Sequence, residues 1–228
     1  MSWMSPRRVP FPAWFDPMLK GVVALAAAAG GYVTLLVAYG FSPRTTDVGY
    51  APVQPVPYSH KLHVGELGLD CRYCHSGVER TGFSNIPTAQ VCMNCHAKVR
   101  TESPLLEPVR QAFRTGMPVE WIKIHDLPDY SYFNHSAHVN RGVGCESCHG
   151  RIDTMEVVYQ DQPLSMSWCV DCHRRPENHL RPLDQITTMG FRHEDMPGGK
   201  GLSRAEYGRT IKEELGINPD TSCSTCHR

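Results

Sequence analysis

Cys71-Arg-Tyr-Cys74-His75 decides the fold, because the same pattern recurs as Cys92-Met-Asn-Cys95-His96, Cys145-Glu-Ser-Cys148-His149, Cys169-Val-Asp-Cys172-His173 and Cys223-Ser-Thr-Cys226-His227. Cys-x-x-Cys-His is the attachment signature of c-type haem. Two thiols at this spacing can both reach the vinyl edge of one porphyrin, and the next residue can turn under the ring to reach the iron. Zinc knuckles and redox Cys-x-x-Cys pairs are the competing readings, and neither needs a histidine after every second cysteine. All ten cysteines fall inside the five motifs, so none remains for a disulfide or an iron–sulfur cluster. The pattern predicts five covalent haems, with His75, His96, His149, His173 and His227 as the proximal iron ligands.

Working outward from the motifs, an internal repeat emerges. The first copy, 60–96, reads His60-x-x-His63-Val64, Gly68, Cys71–His75, Pro87 and Cys92–His96. The second, 135–173, reads His135-x-x-His138-Val139, Gly142, Cys145–His149, Pro163 and Cys169–His173. Corresponding positions are offset by 75 (60 to 135), 74 (71 to 145) and 77 (92 to 169) residues. The fifth motif, 223–227, has no leader of its own. Residues three apart on a helical turn share a face, so one His-x-x-His pair can serve two neighbouring irons. His60, His63, His135 and His138 are therefore expected as distal ligands. One iron still needs a sixth ligand, and Met155 is the choice, ahead of His125 and Met166. His179 and His193 stand in polar or glycine-rich sequence and read as solvated.

Residues 60–228 number 169, about 34 per motif, too few for an ordinary hydrophobic core around each cofactor. The 18 prolines and 9% aromatic content fit an irregular and helical wrap in which the macrocycles themselves are the core. Pro104 and Pro108 should break any long helix over Val99–Phe113. Asp184–Gly201 reads as a surface loop, and Ser203–Leu215 as a short helix capped by Ser203 with Glu206 three residues on. The 23 basic and 23 acidic residues cancel, and no basic tract stands out, which argues against nucleic acid.

Toward the N-terminus, Gly21–Phe41 runs 21 residues without a charge, long enough to span a bilayer. Before it, Arg7, Arg8 and Lys20 alternate with Pro6, Pro10, Trp14 and Phe15, an interfacial lead-in whose charge puts the N-terminus in the cytoplasm. A cleaved signal peptide competes, with Ala26–Ala29 as cleavage sites, but the apolar run continues through Val37. The expected organisation is 1–43 as cytoplasmic N-terminus and anchor, 44–59 as a proline-rich tether, and 60–228 as a pentahaem domain. Thioether attachment of haem takes place outside the bacterial cytoplasm, which puts that domain in the periplasm.

Tyr58-Ser-His60-Lys-Leu-His63 and Phe133-Asn-His135-Ser-Ala-His138 resemble the leaders of class III multihaem cytochromes c. Together with the single anchor, Gly150-Arg-Ile-Asp-Thr-Met155-Glu and Leu164-Ser-Met166-Ser-Trp168 before Cys169, the layout is similar to the pentahaem anchored subunits of bacterial alternative complex III. That resemblance implies partners: an iron–sulfur subunit related to molybdopterin oxidoreductases, quinol-binding membrane subunits and a monohaem cytochrome c. It also implies electron transfer from quinol through this chain to a cytochrome or an oxygen reductase, with no catalytic residue here. A stand-alone quinol dehydrogenase cytochrome is the runner-up. A nitrite- or hydroxylamine-converting haem enzyme comes third, since it needs an open iron and all five motifs are regular.

Overall fold

The computed structural model describes residues 11–40 and 46–227, and the chain divides into two compact units, Met1–Thr45 and Thr46–Arg228. In the first unit, helix α1 (Phe15–Gly40) runs for 26 residues, about 39 Å at the α-helical rise. It is long and apolar enough to cross a membrane. The helix begins ahead of the expected Gly21, taking in Lys20, with Asp16 in the first turn where the helix dipole favours an anion. Pro17 falls at the start, where a missing N–H costs no helical bond. Arg7, Arg8, Phe41, Ser42 and Pro43, which entered the anchor and orientation reading, lie outside the described residues.

The second unit is built from short helices and turns, with no strand among the described residues beyond an isolated bridge between Val143 and Leu180. Its helices are α2 (Cys71–Cys74), α3 (Ala89–His96), α4 (Glu107–Thr115), α5 (His135–Val139), α6 (Glu146–His149), α7 (Met166–Arg174), α8 (Arg204–Glu214) and α9 (Cys223–Cys226). A π-helical turn, Lys61–Glu66, follows His60. The mostly irregular and helical class expected from the motifs is what is found.

The expected tether is extended but not free. Gly49 N–H donates to the Gln160 carbonyl at 2.8 Å, and Gln160 N–H donates to Tyr50 at 3.1 Å. Gln54 brackets Ile122 through both amide atoms, at 2.8 and 2.9 Å, and Val56 is buried. The chain from Thr46 onward therefore belongs to the second unit, because its backbone polar groups find partners there.

The two repeats hold each other. His135 and Ser136 N–H groups donate to the Gly82 and Thr81 carbonyls, both at 3.2 Å, in the loop after the first motif. Reciprocally, Lys61 N–H donates to Met155 at 3.0 Å, in the loop after the third motif. The paired glycines of the repeat, Gly68 and Gly142, both adopt positive φ, at 69° and 75°. A Cβ on Gly142 would lie 2.6 Å from the Arg181 carbonyl, so this turn needs glycine twice over.

Among the described residues, an apolar core cluster lies toward the C-terminal end, where Leu180, Tyr207, Ile211 and Ile217 gather with Val143, Phe191, Met196 and Leu215 around them. Helix α8 carries the expected capping box, with Ser203 accepting from Glu206 N–H while the Glu206 carboxylate accepts from Ser203 N–H. Pro104 starts a 3-10 turn, Pro104–Leu106, and Pro108 sits in the first turn of α4, so the prolines set where the helix begins rather than preventing it. The stretch expected as a surface loop, Asp184–Gly201, is partly internal: Ile186 and His193 are buried, and a Cβ on Gly199 would overlap the His193 carbonyl at 1.8 Å.

Candidate functional site

Each motif is one helical turn. Cys71–Cys74 and Cys223–Cys226 are complete four-residue helices with His75 and His227 as the residues that close them. The other three lie in the final turns of α3, α6 and α7. A helical turn puts both sulfurs on one face, and the histidine follows where the helix ends. Asp70 starts the first of these turns by accepting from Arg72 N–H at 2.8 Å, and Ser165 starts α7 by accepting from Trp168 N–H.

The imidazoles are oriented in a common way. His75 Nδ1 donates to the Asn85 carbonyl at 2.8 Å, His96 to Val99 at 3.0 Å, His173 to Asp220 at 2.7 Å and His227 to Tyr130 at 3.1 Å. Three of the four leader histidines do the same, His63 to Ser59 and His138 to Asn134, both at 2.8 Å, and His135 to Gly82 at 3.0 Å, while His60 Nδ1 is buried without a partner. A backbone carbonyl on Nδ1 fixes the tautomer that leaves Nε2 free as a metal ligand.

Ring geometry tests whether a haem iron fits between them. A nitrogen about 2 Å from a metal puts its imidazole centroid about 3 Å away, so two rings on opposite faces of one metal have centroids about 6 Å apart. His63 and His96 have centroids 6.2 Å apart, and His138 and His173 have centroids 6.1 Å apart. The second histidine of each leader thus pairs with the second motif of its own repeat, at a spacing that accepts one iron. The first histidines gather elsewhere: His60 lies close to His75, and His149 lies among His125, His135, His75 and His60. Burial holds His60 down to about 4 and His149 down to about 3, and it also lowers His125 and His138. These rings are therefore neutral, as a metal ligand must be.

Eight of the ten cysteines are half-buried, and Cys95 and Cys223 are exposed. Burial raises Cys148 to about 12 and Cys172 to about 11, so neither is a free reactive thiol. Cys71 and Cys145 lie close together.

The remaining candidates separate. Met155 is 4% exposed, beside the first leader through its bond to Lys61. Met166 is 71% exposed. His193, expected to be solvated, is 7% exposed and donates from Nε2 to Leu202 at 2.9 Å, so it is a structural histidine of the α8 region. His179 is half-buried, and burial together with the neighbouring Arg204 and Arg181 lowers it. His125 is brought to the centre: its ring lies 4.5 Å from that of His149 at 76°, and its Nε2 is buried with no protein partner. Its ten-residue spacing from His135 made it a candidate, and the Gln54 bracket on Ile122 accompanies its place beside His149. Tyr58 and Phe133 are functional neighbours that spacing alone underused. Tyr58 stacks on His63 at 4.4 Å and meets His60 edge-on at 4.8 Å. Phe133 stacks on His138 at 4.6 Å and meets His135 edge-on at 4.8 Å.

Comparison with known proteins gives a likeness for part of the chain. Residues 131–228 match the family described as cytochrome c7 and related cytochrome c, a stretch that contains the second leader and three of the motifs. The menaquinone reductase multiheme cytochrome c subunit of Nitratidesulfovibrio vulgaris is 29% identical, over 69% of this chain and 85% of that protein. The C-terminal stretch is thus similar to cytochrome c7, and that likeness, with ten cysteines in Cys-x-x-Cys-His motifs, fits covalently bound haem c.

Proposed function

We propose that this multihaem c-type cytochrome is the membrane-anchored, five-haem electron relay of a quinone-linked oxidoreductase, with no substrate site of its own. The observation that carries the reading is the pair of imidazole spacings, 6.2 Å and 6.1 Å, which fit six-coordinate irons closed on both faces by histidine. A bound haem c supplies a one-electron couple at its iron. The chain's own residues do the rest. The ten cysteines fix each ring, the Nδ1 bonds aim the imidazoles, and closing both faces leaves no open position for a small substrate. His60 and His135 close two further irons alongside His63 and His138. The fifth sixth ligand falls to Met155 or to His125, whose Nε2 is buried without a protein partner.

In this reading α1 spans the inner membrane, the N-terminus stays in the cytoplasm and the chain from about Ser42 onward is periplasmic. Partners are quinone-binding membrane subunits, an iron–sulfur subunit of the molybdopterin-oxidoreductase type and a monohaem cytochrome c. The layout of anchor, leaders and motifs supports the alternative complex III arrangement, in which quinol is oxidised. The menaquinone reductase relative supports a second direction, in which electrons enter from a cytochrome and leave to menaquinone.

The intact complex, extracted in mild detergent, distinguishes the two directions. Menaquinol-dependent reduction of a monohaem cytochrome c is expected for the first. Menaquinone reduction by a reduced cytochrome, with no menaquinol oxidation, selects the second. Rapid stoichiometric binding of carbon monoxide or cyanide to one native haem would defeat the relay reading in favour of a haem enzyme.

A further inference from the structure

The spatial order of the motifs differs from their order in sequence. Neighbours are identified by hydrogen bonds between one motif and the next. Asn94, inside the second motif, donates to the Tyr73 hydroxyl inside the first at 3.0 Å. The first motif meets the third through the segment 186–187: Thr187 donates to the Asp70 carboxylate at 2.9 Å, while Cys145 N–H donates to Ile186 at 3.0 Å. The closeness of Cys71 and Cys145 makes the same link directly. The third motif meets the fourth where Gly144 N–H donates to the His179 carbonyl, six residues after His173, at 3.4 Å. The fourth meets the fifth where His173 Nδ1 donates to Asp220, three residues before Cys223, at 2.7 Å.

Thiol neighbours repeat the same series. Cys74 lies near Cys92, Cys148 near Cys172 and Cys169, and Cys169 near Cys226. Exposure supplies an independent observation. Only Cys95 and Cys223 are exposed among the ten, and they belong to the second and fifth motifs.

We propose that the five attachment sites form one unbranched electron path in the order second, first, third, fourth, fifth, with the Cys92–His96 and Cys223–His227 sites as its two ports. This rests on the five-haem relay reading and deepens it by saying where redox partners dock. A partner redox centre exchanges electrons with the haem held beside Cys95 or with the one held beside Cys223. The three inner sites exchange only with their neighbours in the path. Each transfer moves one electron and forms no bond: one iron is reduced as its neighbour is oxidised.

Iron positions in the haem-loaded, detergent-extracted complex, determined by electron cryomicroscopy, test the order. The expected map has the Cys92 and Cys223 irons each with a single nearest iron, belonging to the first and fourth motifs. A Cys92 iron lying between two others, or a third-motif iron adjacent to that of the second rather than the first, overturns the path while leaving the five-haem relay intact. Fewer than five irons overturns both. His63→Met gives a functional arm by raising the potential of the port haem at Cys92. Potentiometric titration should then show that haem displaced together with one neighbour. Two displaced neighbours would make the site interior and defeat the proposal.

Discussion

Tyr58 and Phe133 occupy the same place in the two repeats and make the same pair of ring contacts, one stacked and one edge-on. The carbonyls of Ser59 and Asn134 pivot His63 and His138 at Nδ1, so the stacked ring is what fixes rotation about that pivot. The planes of His63 and His96 stand at 58°, and those of His138 and His173 at 50°. Tyr58→Leu should therefore change the electron-paramagnetic-resonance g-values of one low-spin haem, and Tyr58→Phe should leave them as they are. Equal changes in both variants would assign the effect to the hydroxyl instead. Met155 and His125 give a second contrast at this scale. A methionine ligand raises a haem's potential above its bis-histidine neighbours. Met155→Leu is thus expected to abolish the highest potential in the titration if the thioether binds iron. If His125 is the ligand, Met155→Leu moves no potential, and His125→Ala produces one high-spin haem. The difference in legibility between these residues is physical. His63 and His138 were readable because their partners lie within one repeat at fixed spacing. His125 carries a weaker signal in its ten-residue spacing from His135, and the burial of His193 carries none, since one segment is held by Gln54 from 68 residues away on Ile122 and the other is enclosed by α8 and Leu202.

Helices were legible in the sequence wherever local bonds make them. Ser203 and Glu206 cap α8 as their spacing required, and the motif turns begin at Asp70 and Ser165 for the same local reason. What the sequence did not carry is which element each helix packs on. Helix α8 lies on the 3-10 turn Pro176–His179 through Gly208, where an added Cβ would come within 1.7 Å of the Glu177 carbonyl. Lys212 Nζ closes the same contact on Glu177 at 2.7 Å. Two substitutions separate the two sources of stability. Ser203→Ala removes the cap and should cost about 1 kcal/mol. Gly208→Ala leaves the cap but drives the helix off backbone that cannot yield, for a loss of about 2 kcal/mol or more. Thermal unfolding of the haem-loaded protein should rank Gly208→Ala below Ser203→Ala. The reverse ranking would mean that α8 is held by its own capping rather than by the close approach at Gly208.

At the scale of the whole molecule, a wrap around five Cys-x-x-Cys-His turns leaves little room for an apolar core, and among the described residues the core cluster draws its buried members from Leu180 to Ile217. The sequence announced this through its motif density, but it could not announce the reciprocal grip of the repeats, which depends on His135 meeting the Gly82 carbonyl 53 residues away and on Lys61 meeting the Met155 carbonyl. That grip closes within Thr46–Arg228, as do the contacts of the stretch 46–59. Replacing residues 1–45 by a cleavable export signal should therefore release a soluble protein with a full complement of haem. The pyridine haemochrome yield per chain and the low-spin spectrum are expected to match the full-length protein, because every motif turn and every Nδ1 bond lies beyond residue 45. Reduction by a soluble one-electron donor should be unchanged. Exchange with membrane quinone should fall to background, since the truncated protein no longer resides where the quinone-binding partners are. Loss of haem from the truncated protein would show that the anchor is part of the wrap. Retained quinone-linked activity in isolated membranes would show that docking to partners, and not α1, holds the relay at the bilayer.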